Sequence, residues 1–74
     1  MIREIKRLLN QYGYTNNNTV TVDGEKQVLL IHDNKEIYIK YSKRYDIYTL
    51  TYKDRGTTIN KSTSDLDWLI QDIH

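Results

Sequence analysis

The 74-residue sequence predicts a single α+β domain over residues 1–74, with a helix, a three- to four-stranded antiparallel sheet and a C-terminal helix, both helices on one face of the sheet. Three observations predict it. Apolar residues recur at spacings of three and four near both ends of the chain. They alternate at a spacing of two through the middle. The middle is also punctuated by turn dipeptides, set so closely that neighbouring strands have no room for crossovers and must run antiparallel.

In the opening segment, MIREIKRLLNQYGY, Ile2, Ile5, Leu9 and Tyr12 form one apolar helical stripe. Gly13 ends it, because a helix C-cap takes the left-handed conformation that only glycine reaches without penalty, and Tyr14 is placed to fold back as the accompanying apolar contact. TNNN reads as loop. From Thr19 the period becomes two: Asp23-Gly24 is a strong hairpin signal, Asp33-Asn34 a second turn, SKRYD a longer loop, and Arg55-Gly56 the end of the last strand. Three strands are firm, and residues 19–22 form a weaker fourth. In STSDLDWLIQDIH, Leu66, Leu69, Ile70 and Ile73 return to helical spacing, with Ser64 and Asp67 positioned as a capping box.

Strand parity sorts the seven tyrosines. Ile37, Ile39 and Tyr41 share one face, and Tyr38 and Lys40 the other. In the next strand Tyr48, Leu50 and Tyr52 are bulkier than Ile47, Thr49 and Thr51, so they join Ile37 and Ile39 beneath the helices. Tyr41, Tyr48 and Tyr52 are therefore core residues whose hydroxyls sit at the periphery. Tyr38 remains on the open face and Tyr45 in the loop, beside Lys40, Lys43 and Arg44.

Composition narrows the function classes. The chain has no cysteine, so it holds no disulfide, no thiolate metal site and no thiol nucleophile, and it suits a reducing cytoplasm. Neither an export signal nor a membrane span is expected from its runs of apolar residues. The absence of Ala and Pro, with nine Ile, six Asn, seven Lys and seven Tyr, is what an AT-rich genome encodes, and a low-GC bacterium or one of its phages is the expected source. The net charge of +1 is unevenly spread: residues 35–61 carry seven Lys/Arg against Glu36, Asp46 and Asp54, whereas residues 62–74 carry Asp65, Asp67 and Asp72 alone.

No catalytic, metal or cofactor signature is expected to operate. His32-Asp33 has the residue types of an acid-base pair, but adjacent strand residues point to opposite faces and no nucleophile accompanies them. The two histidines and scattered acids lack metal-ligand spacing, and three isolated glycines make a cap and two turns rather than a phosphate loop. Trp68, off the main apolar stripe, either widens the buried face of the last helix or serves as an exposed anchor.

Two binding readings follow. Exposed aromatics on a basic sheet can stack bases while Lys and Arg neutralise phosphates, so a small nucleic-acid-binding domain is one of them. The element order resembles the double-stranded RNA-binding domain, which sets a lysine cluster at the start of its second helix. Here that segment is KSTSDLDW, with Lys61 followed by two aspartates. The other reading is a protein-binding inhibitor. The run IREIK, Ile2 to Lys6, together with the element order, resembles small phage-encoded anti-CRISPR proteins, one of which opens on such a run before a three-stranded sheet and C-terminal helical packing. That resemblance implies a non-enzymatic phage or mobile-element protein that blocks a CRISPR effector nuclease or another host defence complex in the host cytoplasm. The inhibitor in question is strongly acidic and imitates DNA, whereas this chain is near neutral with a basic middle, so no contact residue carries over. From the residues themselves, the expected partner-binding set is Tyr38 and Tyr45 as anchors with Lys40, Lys43, Arg44, Lys53 and Arg55 as charge partners.

Overall fold

The computed structural model describes residues 2–73. Helix α1 (Ile2–Gln11) leads into five strands and a short final helix: β1 (Asn17–Val22), β2 (Glu25–His32), β3 (Lys35–Ser42), β4 (Ile47–Asp54), β5 (Thr57–Thr63) and α2 (Leu66–Gln71). The strands form one antiparallel meander in the order β1-β2-β3-β4-β5. The α+β class holds, but the sheet has five strands rather than three or four. β1 is a full strand that takes in Asn17 and Asn18 from the stretch read as loop, and β5 was not expected at all.

The turns explain both the order and the omission. Asp23-Gly24 and Asp33-Asn34 both have two consecutive positive φ angles, 52° and 81°, then 51° and 61°, the left-handed pair of a type I′ hairpin turn. Arg55-Gly56 does the same at 52° and 82°. Arginine is a poor residue for a left-handed position, so this dipeptide reads as a strand end although it is a hairpin. β5 itself, TTINKST, offers a single large apolar residue, Ile59, and therefore no alternating pattern to detect.

α1 ends as its sequence dictates. Gly13 sits at φ 89°, its N–H donates to the Asn10 carbonyl at 3.1 Å, and the Tyr14 N–H reaches back to the Leu9 carbonyl at 2.9 Å. Asn17, buried at the start of β1, locks the connection by donating from Nδ2 to the Tyr14 carbonyl at 2.7 Å and to Asn10 Oδ1 at 3.0 Å. The cap of α2 is Asp65 rather than Ser64: its Oδ1 accepts from the Trp68 N–H at 3.2 Å.

One buried cluster holds the molecule together. It contains Ile5 and Leu9 of α1, Val28 and Leu30 of β2, Ile37 and Ile39 of β3, Leu50 of β4, and Leu66, Leu69 and Ile70 of α2. Cross-strand partners confirm a single face, since Val28 lies opposite Ile39, Leu30 opposite Ile37 and Ile39 opposite Leu50. Tyr41, Tyr48 and Tyr52 pack at the margin of this cluster, as parity predicted. Two polar ties join its outer parts. The Tyr12 hydroxyl donates to Asp67 and accepts from Gln71 Nε2 at 3.1 Å, linking the end of α1 to α2, and Lys61 of β5 pairs with Asp72 at the end of α2.

Candidate functional site

The register that buries Val28, Leu30, Ile37, Ile39 and Leu50 turns a second set of side chains to the opposite face of the sheet. Its central row runs Asn18, Leu29, Tyr38, Thr51, Asn60 across all five strands. Beside Leu29 on β2 stands Ile31, 42% exposed, and beside Asn18 on β1 stand Val20 and Val22. An apolar stripe of Val20, Leu29, Ile31 and Tyr38 therefore lies on the side of the sheet away from the buried cluster.

Sequence reasoning missed Leu29 and Ile31, although a signal was present. A half-buried strand alternates apolar and polar residues, but QVLLIH is apolar at four consecutive positions, so both of its faces are apolar. Residues 28 and 30 fill the core, leaving 29 and 31 on the other side. A depression of about 430 Å³ opens next to this stripe, lined in part by Glu36, Tyr38, Thr51, Lys53 and Thr58. Beyond it, β4 and β5 carry a neutral polar ladder, in which Thr51 Oγ1 donates to Asn60 Oδ1 at 2.7 Å and the hydroxyls of Thr49 and Ser62 lie 3.0 Å apart.

The seven expected partner-binding residues do not form one cluster. Tyr38 is half-buried on the stripe, with its hydroxyl 3.4 Å from Glu36 Oε2. Lys40 shares that face, and its Nζ lies 3.8 Å from Glu25 Oε1. Lys53, exposed opposite Thr58, stands on the far side of Tyr38 along the strands. Lys43, Arg44 and Tyr45 occupy the β3-β4 loop, whereas Arg55 lies in the β4-β5 turn at the other end of the sheet. The seven steps of β4 between these ends span roughly 24 Å, so one small contact cannot engage both.

The loop is held rather than loose. The Tyr41 hydroxyl donates to Asp46 Oδ1 at 2.7 Å, and this bond raises the Tyr41 pKa above the ordinary tyrosine range because ionisation would set two negative charges together. Asp46 sits at φ 52°, closing the loop, and the Tyr41 ring packs on Tyr48 with centroids 4.8 Å apart. These margin tyrosines thus position the loop above them. At its tip Tyr45 is 65% exposed, with the Arg44 guanidinium 5.3 Å from its ring centroid.

Two other features differ from expectation or resolve it. Asp33 is the turn residue expected at Asp33-Asn34, beside the strand-end His32, but its carboxylate does not point away from that neighbour: His32 Nε2 lies 3.4 Å from Asp33 Oδ2, with the Tyr14 ring edge-on to the imidazole at 5.1 Å. The pair faces the core side, away from the stripe, and no serine, threonine or cysteine lines the small crevice it borders. Trp68 is 52% exposed on α2, so it does not widen the buried face. Among the described residues no group of three or more His, Cys, Asp or Glu side chains is placed to share a metal ion, and no helix is long and apolar enough to cross a membrane.

Comparison with protein-family models, with curated proteins and with solved structures returns no match to this chain.

Proposed function

We propose that this is a small non-enzymatic phage or mobile-element protein that binds and blocks a host defence protein, with a CRISPR effector nuclease or complex as the leading target. We infer further that both helices cover the same side of the sheet, since their buried side chains join the cluster formed by Val28, Leu30, Ile37, Ile39 and Leu50. The opposite face is then free to dock. The observation that carries the proposal is the stripe of Leu29, Ile31 and Tyr38 on that face, with Lys40 and Lys53 at its flanks.

Protein interfaces combine an apolar, aromatic-rich centre with a polar rim, which is the distribution this face offers. Tyr38 beside the depression, and Tyr45 on its pinned loop, supply large contact areas at little cost in conformational freedom. A nucleic-acid surface would place cations where the aliphatic side chains stand and would need stacking rings in series. The anti-CRISPR assignment rests on the IREIK resemblance and the AT-rich composition, and the stripe supports the broader reading of occlusion by stoichiometric binding.

The test is affinity capture from a low-GC bacterial lysate, with and without nuclease treatment, using the wild-type chain and Leu29→Asp. The proposal predicts a protein partner that survives nuclease and is lost with Leu29→Asp. Disappearance of every partner after nuclease treatment would favour the nucleic-acid reading instead.

A further inference from the structure

The sheet ends in two edges, β1 and β5, and they differ in a way that points to self-association. Asn16 is the key to the first. Its carbonyl accepts from the Ile31 N–H at 3.4 Å, so residue 16 belongs to a pair that exchanges backbone bonds with β2. Antiparallel strands alternate such pairs with pairs that do not exchange bonds. Asn18, Val20 and Val22 therefore bond inward to Leu29, Gln27 and Glu25, while the N–H and C=O groups of Asn17, Thr19 and Thr21 point outward from the edge.

Proteins ordinarily guard such an edge with lysine, proline, a bulge or a covering segment. β1 reads NNTVTV, with no charged residue and no proline, and its six register pairs run without a bulge. On the far edge, the outward residues of β5 are Thr58, Asn60 and Ser62, by the same alternation counted from the Asp54 and Thr57 pair that closes the turn. Their neighbourhood carries Lys53, Arg55 and Lys61, and the side chains of Asn60 and Ser62 are already engaged with Thr51 and Thr49. Pairing β5 with itself about Asn60 would gather the two Lys61 side chains on one face and cover a single large apolar residue, Ile59. Pairing β1 with itself opposes no charges and covers Val20 and Val22.

We propose that β1 pairs antiparallel with β1 of a second copy, with the two-fold axis at Thr19. That register sets Thr19 opposite its own counterpart and Asn17 opposite Thr21. It satisfies all three outward residues of each copy, giving about six inter-chain backbone bonds at two per exchanging pair. It also preserves parity, since 17, 19 and 21 all lie on the core side, so a continuous ten-stranded sheet forms with both buried clusters on one side. Sliding the axis to Val20 would recruit Asp23, whose φ of 52° takes it out of the strand. The dimer would bring the two Leu29, Ile31 and Tyr38 stripes to a single surface. It requires only the β1 edge, and stands whether or not that surface binds a defence protein.

Sedimentation over a dilution series tests it. The wild-type chain is expected to approach twice its 8.9 kDa mass as concentration rises. Thr19→Lys, which sets two ammonium groups face to face at the axis, and Thr19→Pro, which removes an outward N–H not used within the sheet, are both expected to stay monomeric with unchanged circular dichroism. Thr58→Lys on the other edge is expected to remain dimeric. Because the chain has no cysteine, Thr19→Cys is expected to give a disulfide-linked dimer on mild oxidation. A wild-type chain that is monomeric at every concentration overturns the proposal. So does a Thr19→Lys variant that still dimerises, or dissociation caused by Thr58→Lys instead.

Discussion

Leu29 and Leu30 are adjacent and chemically identical, yet the sheet gives them opposite tasks. Leu30 is 1% exposed in the cluster, whereas Leu29 lies half-buried on the stripe. Leu30→Ala is expected to cost about 2–5 kcal/mol, the range for a truncated core leucine, while Leu29→Ala costs under about 1 kcal/mol. Chemical denaturation of both variants checks this. Equal losses would mean that the two faces are not distinguished as described. A second residue-scale expectation concerns the phenols of Tyr12 and Tyr41. Each donates to a carboxylate, Asp67 and Asp46 respectively, and the bond raises its pKa in the folded state. A raised folded pKa means that the stabilisation is complete below the unfolded value of about 10 and is lost as pH climbs through the folded value. The pairing of Lys61 with Asp72 raises the lysine pKa and acts in the same direction. Alkaline unfolding followed by tyrosinate absorbance is expected to flatten in Tyr12→Phe/Tyr41→Phe, and an unchanged profile would contradict these roles.

At the scale of elements, the turns decide how much of the fold the sequence discloses. Asp23-Gly24 and Asp33-Asn34 use residues suited to positive φ, so the first two hairpins were legible. Arg55-Gly56 reaches the same geometry with a residue that is not. Replacing Arg55 with Asn, which tolerates the left-handed region, is therefore expected to stabilise the fold by about 0.5–1 kcal/mol, measured by thermal unfolding. A loss of stability would show that the Arg55 side chain makes a contact that outweighs its backbone strain. The same logic bounds what was readable of the site. Parity placed Tyr38 and Lys40 on the stripe face, and Tyr41, Tyr48 and Tyr52 at the core, because a strand with one apolar face announces its orientation. It did not find Leu29 and Ile31, because β2 is apolar on both faces and the alternation that marks orientation vanishes there. It gathered Lys53 and Arg55 with the β3-β4 loop because the length of β4, which separates them, only matters once the strands are laid side by side.

For the whole molecule, one thin cluster built from residues of both helices and of the sheet leaves little stability in reserve. Removing a keystone shared by both layers has a large effect: Leu69→Ala, fully buried on α2, is expected to lower stability by about 2–5 kcal/mol and to free the final helix, seen as loss of helical circular dichroism. Against that background the proposed binding face is separable from the core, which is what allows the functional claim to be tested cleanly. The central claim is that Leu29, Ile31 and Tyr38 form the docking surface of a stoichiometric inhibitor. The most direct measurement is titration of the purified chain, and of its Leu29→Asp variant, into target-DNA cleavage by CRISPR effector nucleases from low-GC bacteria. The account predicts cleavage abolished near a one-to-one ratio, unaffected by competitor DNA, and restored with the folded Leu29→Asp variant. It would be contradicted by cleavage that continues at saturating wild-type chain, or by inhibition that persists unchanged in Leu29→Asp and vanishes with competitor DNA and added salt.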